Sequence, residues 1–170
     1  DFTNPNFQES ISNHKPAMIW LESPTNPLLK VIDIEGICHF SNKMQIPVVV
    51  DNTFATPLIQ RPLKLGATLS LTSTTKYING HSDALGGAVC TESSVWRDRL
   101  NFAQKALGLN PSPFDCWLIT RGIKTLPLRL DKQTHNASKI AKQLADNPAI
   151  KSVRYPFRSD HPQFELAQRQ

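Results

Sequence analysis

The sequence predicts an α/β fold, a mostly parallel sheet with flanking helices. Four short apolar runs, at residues 17–21, 47–50, 68–71 and 86–90, have the near-continuous hydrophobicity of strands covered on both faces. An amphipathic stretch lies between the first two, which makes a βαβ unit with a right-handed crossover. Helical periodicity then dominates from residue 94 onward.

Each element has its own signal. The first strand closes on Leu21. Asp33 is suited to cap a helix over 33–44, in which Ile34, Ile37, Ser41 and Met44 share a stripe. The valine run 48–50 is the second strand, and 68–71 and 86–90 supply two more. Ser94 reads as the cap of a helix carrying Val95, Leu100, Ala103 and Leu107, with Gly108 as its stop. A further helix runs from Pro113 through Trp117 and Leu118 to a break at Gly122. A longer one spans 127–145, with Leu130, Thr134, Ala137, Ala141 and Leu144 near one face, and Asn147-Pro148 ends it. Residues 150–156 alternate like the opening strand of a new unit. The expected boundary therefore lies near 148, with 1–148 in one domain and 149–170 opening the next. Residues 161–170 begin a helical pattern with no stop signal and the chain starts without Met, so a piece of a longer polypeptide is expected.

Composition excludes several classes. With 170 residues, 39% hydrophobic and 19% charged, the chain is long enough for one real core. No apolar stretch approaches the roughly 20 residues that a bilayer crossing needs, and no signal peptide is visible, so the expected compartment is the cytoplasm. The net charge of +5 invites nucleic-acid binding. However, no two Lys or Arg residues are adjacent and acidic residues interleave throughout, so neither nucleic acid nor membrane is an expected partner. Cys38, Cys90 and Cys116 are widely spaced, with no paired Cys or His spacing that would hold zinc. His81-Ser82-Asp83 spells a catalytic triad, but contiguous residues cannot adopt triad geometry.

The chemistry concentrates at the ends of strands, where ligands collect in open parallel sheets. Asp51 follows the valine run, and Lys76 follows the 68–71 strand within Ser73-Thr74-Thr75-Lys76-Tyr77. Taken singly, Asp51 is turn material and Lys76 a surface lysine. Taken together they are the two groups that pyridoxal 5'-phosphate requires: an amine for its aldehyde and a carboxylate for its ring nitrogen. The small hydroxyl residues before the lysine suit a phosphate.

A third strand-end segment, Glu22-Ser23-Pro24-Thr25-Asn26-Pro27, completes a pattern. With ESPTNP, VVDNTFATP and STTKYINGHSD in this order and spacing, the chain resembles the Cys/Met-metabolism family of pyridoxal-phosphate enzymes, the trans-sulfuration enzymes. The resemblance covers essentially the whole chain. Residues 111–118 and 121–126, with His161-Pro162-Gln163, are most similar to the cystathionine γ-lyase branch.

The resemblance implies the large domain of a fold-type I PLP transferase, followed by the start of a C-terminal α+β domain. It implies that Lys76 forms a Schiff base with the cofactor and, once freed by substrate, moves protons. Asp51 would pair with the pyridine nitrogen, Ser73 and Thr75 would bind the phosphate, and Asn26 would hydrogen-bond the phenolic oxygen. Tyr77, Asn79, His81, Ser82 and Asp83 would shape the lysine loop, with Gly80, Gly86 and Gly87 permitting close backbone approach. Arg61 and Arg121 read as structural.

The activity implied is a carbon–sulfur lyase that takes a small amino-acid substrate: γ-elimination of cystathionine to cysteine, 2-oxobutyrate and ammonia, in a homotetramer. The sibling γ-synthase, β-lyase, methionine γ-lyase and sulfhydrylase activities share the same lysine and stay open. So does an inactive fragment that contributes only oligomer contacts. The family's upstream glycine loop and stacking tyrosine, its neighbouring-subunit Tyr and Arg, and its downstream substrate arginine have no counterpart among these residues.

Overall fold

The structure is a computed structural model that describes residues 2–4 and 6–170. Its elements follow in the order α1 (Phe7–His14), β1 (Ile19–Glu22), α2 (Ile34–Lys43), β2 (Val48–Asp51), α3 (Thr56–Ile59), β3 (Leu69–Ser73), β4 (Gly87–Cys90), α4 (Ser94–Leu107), α5 (Pro113–Ile123), α6 (Leu126–Ala145) and α7 (Phe164–Arg169). The four strands form one sheet in sequence order. β1 pairs parallel with β2 and β2 with β3, whereas β3 and β4 are antiparallel.

The core lies on one face of this sheet. Ile19 and Leu21 of β1 and Val48 and Val50 of β2 point to that face and pack on Ile34, Ile37 and Cys38 of α2 and Ile11 of α1. Asp33 caps α2 by accepting a hydrogen bond from Gly36 N at 3.1 Å, as its sequence position predicts. Ile34, Ile37 and Ser41 are fully buried, so the expected stripe is the packed one. The Cys38 thiol in this layer is pushed up to about 12, first by burial and then by the Asp33 carboxylate.

Five expectations of detail are corrected. The sheet is mostly parallel, as expected, but its last strand is antiparallel and mostly exposed, so that edge is not doubly covered. On the second face Trp20 is 59% exposed, and only Val49 and Leu69 of the strands' apolar side chains are buried there. The cap of α4 is Ser93, whose hydroxyl accepts from Trp96 N, one residue earlier than expected. Residues 150–155 form no strand: Tyr155 turns back to donate its hydroxyl to Thr134 O of α6, and Pro156 cannot extend a ladder. Finally, α5 runs past Gly122 to Ile123.

Candidate active site

Strand register brings three polar groups to one rim. Glu22 pairs with Asp51 across β1 and β2, and Asp51 with Leu71 across β2 and β3. Two residues beyond Leu71, on the same face by the alternation of a strand, comes Ser73. Beyond it the chain makes one wide helical turn, Thr74–Ile78, in which Lys76 departs from helical dihedrals (φ −91°, ψ −119°). Lys76 is exposed into a cavity of about 1030 Å³. Asp51, Ser73, Thr75 and Asn26 all line that cavity, so each residue expected at the site is gathered there.

Asp51 is held on one side only. Its Oδ1 accepts from Thr53 N at 2.9 Å and from Thr53 Oγ1 at 2.6 Å. The same Thr53 hydroxyl accepts from Ser73 N at 2.9 Å, tying β2 to β3 just beyond the last ladder pair. Thr75 Oγ1 accepts from Gly86 N at 3.0 Å and donates to Gly86 O at 3.2 Å, the latter a long bond that a better acceptor would displace. Thr74 is buried, with its hydroxyl unpartnered against Gly86 rather than in the cavity. Asn26 is exposed, and its backbone N–H donates to Glu22 Oε2 at 3.1 Å.

The groups beneath the site were less visible in the sequence. Arg129, in the first turn of α6, donates from Nη1 to Tyr77 O at 2.8 Å and from Nη2 to Ile78 O at 3.2 Å and Gly122 O at 2.9 Å. Its Nε donates to Thr125 Oγ1 at 3.0 Å. Gly80 has φ +75°, and a Cβ there would overlap the Arg129 guanidinium. Gly87 is different: a Cβ would meet Thr72 O at an ordinary 3.7 Å, so close approach is not its role. The turn after Lys76 also carries Asn79, buried, with Nδ2 donating to Asp83 Oδ1 at 2.8 Å. His81 does not face Ser82 and Asp83 as a triad; its Nδ1 lies 2.7 Å from Asn79 O.

Behind the strand ends sits a buried polar network. Gln60 Nε2 donates to Ser23 O and Asn52 Oδ1, each at 2.8 Å, and Asn52 Nδ2 donates to Gln60 O at 2.8 Å. Ser23 Oγ accepts from Ile32 N at 3.1 Å. These bonds fix the loop that presents Asn26.

This arrangement is a lysine, a half-satisfied carboxylate and two hydroxyls facing one space, and it is matched by a family model. The model for Cys/Met metabolism PLP-dependent enzymes matches residues 1–170. The chain belongs to this family.

Similar proteins agree. The chain is 45% identical over 170 residues to a probable cystathionine γ-synthase of Herpetosiphon aurantiacus, covering 100% of this chain and 53% of that protein. It is 46% identical over 171 residues to the cystathionine γ-lyase of Bos taurus, covering 100% of this chain and 42% of that protein. Among solved structures, cystathionine γ-synthase from Xanthomonas oryzae pv. oryzae in complex with aminoacrylate and cysteine superposes with a TM-score of 0.97 at 41% identity, covering 100% of this chain and 44% of that one. The chain thus spans about half, or less, of the length of the relatives it matches.

For a member of this PLP-dependent family, the residues fit the cofactor's ring end. With Oδ1 of Asp51 taken by Thr53, the carboxylate's other oxygen is left to accept from a ring N–H. A phosphate here would be met by the hydroxyls of Ser73 and Thr75 but by little positive charge. Among the described lining residues, Lys76 is the one cation, against the carboxylates of Glu22, Asp51, Asp83 and Asp115. Any further cation for a phosphate would come from residues other than these.

Proposed function

We propose that this chain forms the lysine-bearing part of a PLP-dependent carbon–sulfur lyase of transsulfuration, which converts cystathionine and water to cysteine, 2-oxobutyrate and ammonia. The observation that carries this reading is the convergence of Lys76, Asp51, Ser73, Thr75 and Asn26 on one cavity at the strand ends. When bound, the cofactor supplies an electron sink that makes the hydrogens on the substrate's carbon chain acidic.

The chain's own residues do the rest. Lys76 Nζ would hold the cofactor at its aldehyde and, when free, would take the proton from the substrate's Cα and move protons along its carbon chain. Asp51 would hold the ring nitrogen in its protonated form, with Thr53 fixing the carboxylate's orientation. Ser73 and Thr75 would donate hydroxyl hydrogens to the phosphate, Thr75 giving up its long bond to Gly86 O. Asn26 would hydrogen-bond the cofactor's phenolic oxygen.

A second reading, γ-replacement by a cystathionine γ-synthase, is favoured by the 45% identity to the Herpetosiphon aurantiacus protein and the 0.97 TM-score with the Xanthomonas oryzae enzyme. The same lysine serves both. Full-length protein is offered cystathionine alone, and separately an activated homoserine plus cysteine; turnover of only the second pair would rule out the lyase. Lys76→Ala should abolish the visible absorbance of the lysine-bound cofactor, and a retained band would overturn the role of Lys76.

We place residues 1–148 in the large cofactor domain and 149–170 at the start of the next, in a cytoplasmic homotetramer. None of the described helices is long and apolar enough to cross a membrane. No residue of α4 is buried, and Phe102, Leu107, Phe114 and Trp117 are exposed, an apolar surface suited to cover by further protein.

A further inference from the structure

We infer that Arg129 is a positioning residue for Lys76, acting through the backbone of the turn that carries it. The inference rests on Lys76 being the cofactor lysine.

The geometry is specific. Lys76 sits in a single wide turn whose backbone leaves helical dihedrals at the lysine itself, so no continuous helix holds it in place. Within the turn, Asn79 N donates to Thr74 O at 3.0 Å and Gly80 N to Lys76 O at 2.7 Å. The carbonyls of Tyr77 and Ile78, immediately after the lysine, point instead to the Arg129 guanidinium at 2.8 and 3.2 Å. The third carbonyl on the same fork is that of Gly122, at 2.9 Å, so the turn is stapled to the end of α5. The fork is in turn oriented by Nε on Thr125 Oγ1.

Two glycines make room for this. A Cβ on Gly80 would overlap the guanidinium, and a Cβ on Gly122 would sit 2.2 Å from Asn79 O. The contact between the lysine turn, α5 and α6 is therefore built around the arginine rather than merely tolerating it. A planar fork reaching carbonyls of two segments is a task that lysine's point charge cannot reproduce.

The chemical consequence concerns where Nζ can be. A base serves only within hydrogen-bond reach of the proton it moves. If Tyr77 and Ile78 are free to rotate their peptides, the Lys76 Cα shifts while the remainder of the site stays on its strands. Chemistry then suffers more than substrate binding.

The test uses the full-length holoenzyme with Arg129→Met, Arg129→Lys and Lys76→Ala. Arg129→Met is expected to lower kcat by about ten-fold to 100-fold with KM little changed, since displacing a reacting group by an ångström has about that effect. It should also speed hydrogen exchange of the Asn79 and Gly80 amides while leaving the Val49 and Val50 amides protected as in the parent. Arg129→Lys should recover kcat only in part. Parental kcat together with parental exchange at Asn79 and Gly80 overturns the inference, as does a loss confined to global stability. Should Arg129→Met not fold, Arg129→Lys decides on the same readouts: reduced kcat with faster turn exchange supports the role, and parental values refute it. A visible cofactor band in Lys76→Ala would instead remove the lysine reading itself, whatever the arginine variants do.

Discussion

Replacing Thr53 by Val removes one hydroxyl and almost no volume, so it isolates the bond that joins Asp51 to β3. The hydroxyl donates to Asp51 Oδ1 at 2.6 Å and accepts from Ser73 N at 2.9 Å. A hydrogen bond to a charged group contributes about 1.5–3 kcal/mol, and a buried donor left unsatisfied costs about 1–3 kcal/mol. Both partners are only half-buried, so water recovers part of the loss and the lower end applies: about 2–3 kcal/mol. For a chain of this size that is a fall of roughly 4–12 °C in Tm. Urea unfolding at neutral pH in the absence of cofactor, on Thr53→Val, Thr53→Ser and the parent, measures it directly. Serine keeps the hydroxyl and should recover most of the stability. Valine as stable as the parent, or serine as damaging as valine, would refute the account of this bond.

Gly122→Ala places a Cβ 2.2 Å from Asn79 O, and Asn79 is 1% exposed, so neither backbone has room to yield. A loss of about 1–3 kcal/mol in unfolding experiments is expected, as for other overpacked sites; an unchanged Tm would mean that α5 can withdraw from the lysine turn. The Cys38 thiol, pushed up to about 12, should resist iodoacetamide in the native protein at pH 8 while exposed Cys90 and Cys116 are alkylated. Peptide mass spectrometry that finds Cys38 labelled as fast as the others would contradict its burial. The sign of its pH dependence follows from the raised value. Folding binds the thiol proton more tightly, so the contribution is full below the ordinary value of 9.0 and is lost as pH rises toward about 12. Cys38→Ala should therefore flatten the alkaline limb of a stability profile, and an unchanged limb would assign that limb to other groups.

How much of this was legible depended on whether the controlling contact was local. Strands β1 to β3 announce themselves because apolar runs such as Val48-Val49-Val50 have no other use, and the Asp33 cap of α2 is a three-residue affair. The direction of β4 was not legible. A four-residue edge strand with three exposed positions carries no periodicity that separates parallel from antiparallel. The α1 helix went unseen because it buries only Ile11. Residues 150–156 alternate like a strand, yet alternation specifies a strand only where a partner edge exists, and Tyr155 found α6 instead. At the site, the chemistry of Asp51, Lys76 and the hydroxyls before the lysine can be read from residue types, whereas the roles of Ser73, Thr75 and Asn26 one by one come only with the family resemblance. Arg129 is separated from Tyr77 by 52 residues, and it binds carbonyls, which every sequence has. Nothing local could mark it.

The Thr53 rung has a consequence for how such a chain can change over generations. It bridges β2 and β3 where the backbone ladder has already stopped, and it works only because Thr53, in the turn two residues past the end of β2, stands opposite Ser73, two residues past Leu71 on β3. A swap of one valine for another apolar residue leaves that count alone. One residue inserted or deleted between Asp51 and Thr53 breaks the bond between them, and one between Leu71 and Ser73 turns the strand's following side chains to the opposite face and moves the amine away from the carboxylate. Drift in this region should therefore appear as substitutions, with length changes confined to loops away from the rim, such as 108–112.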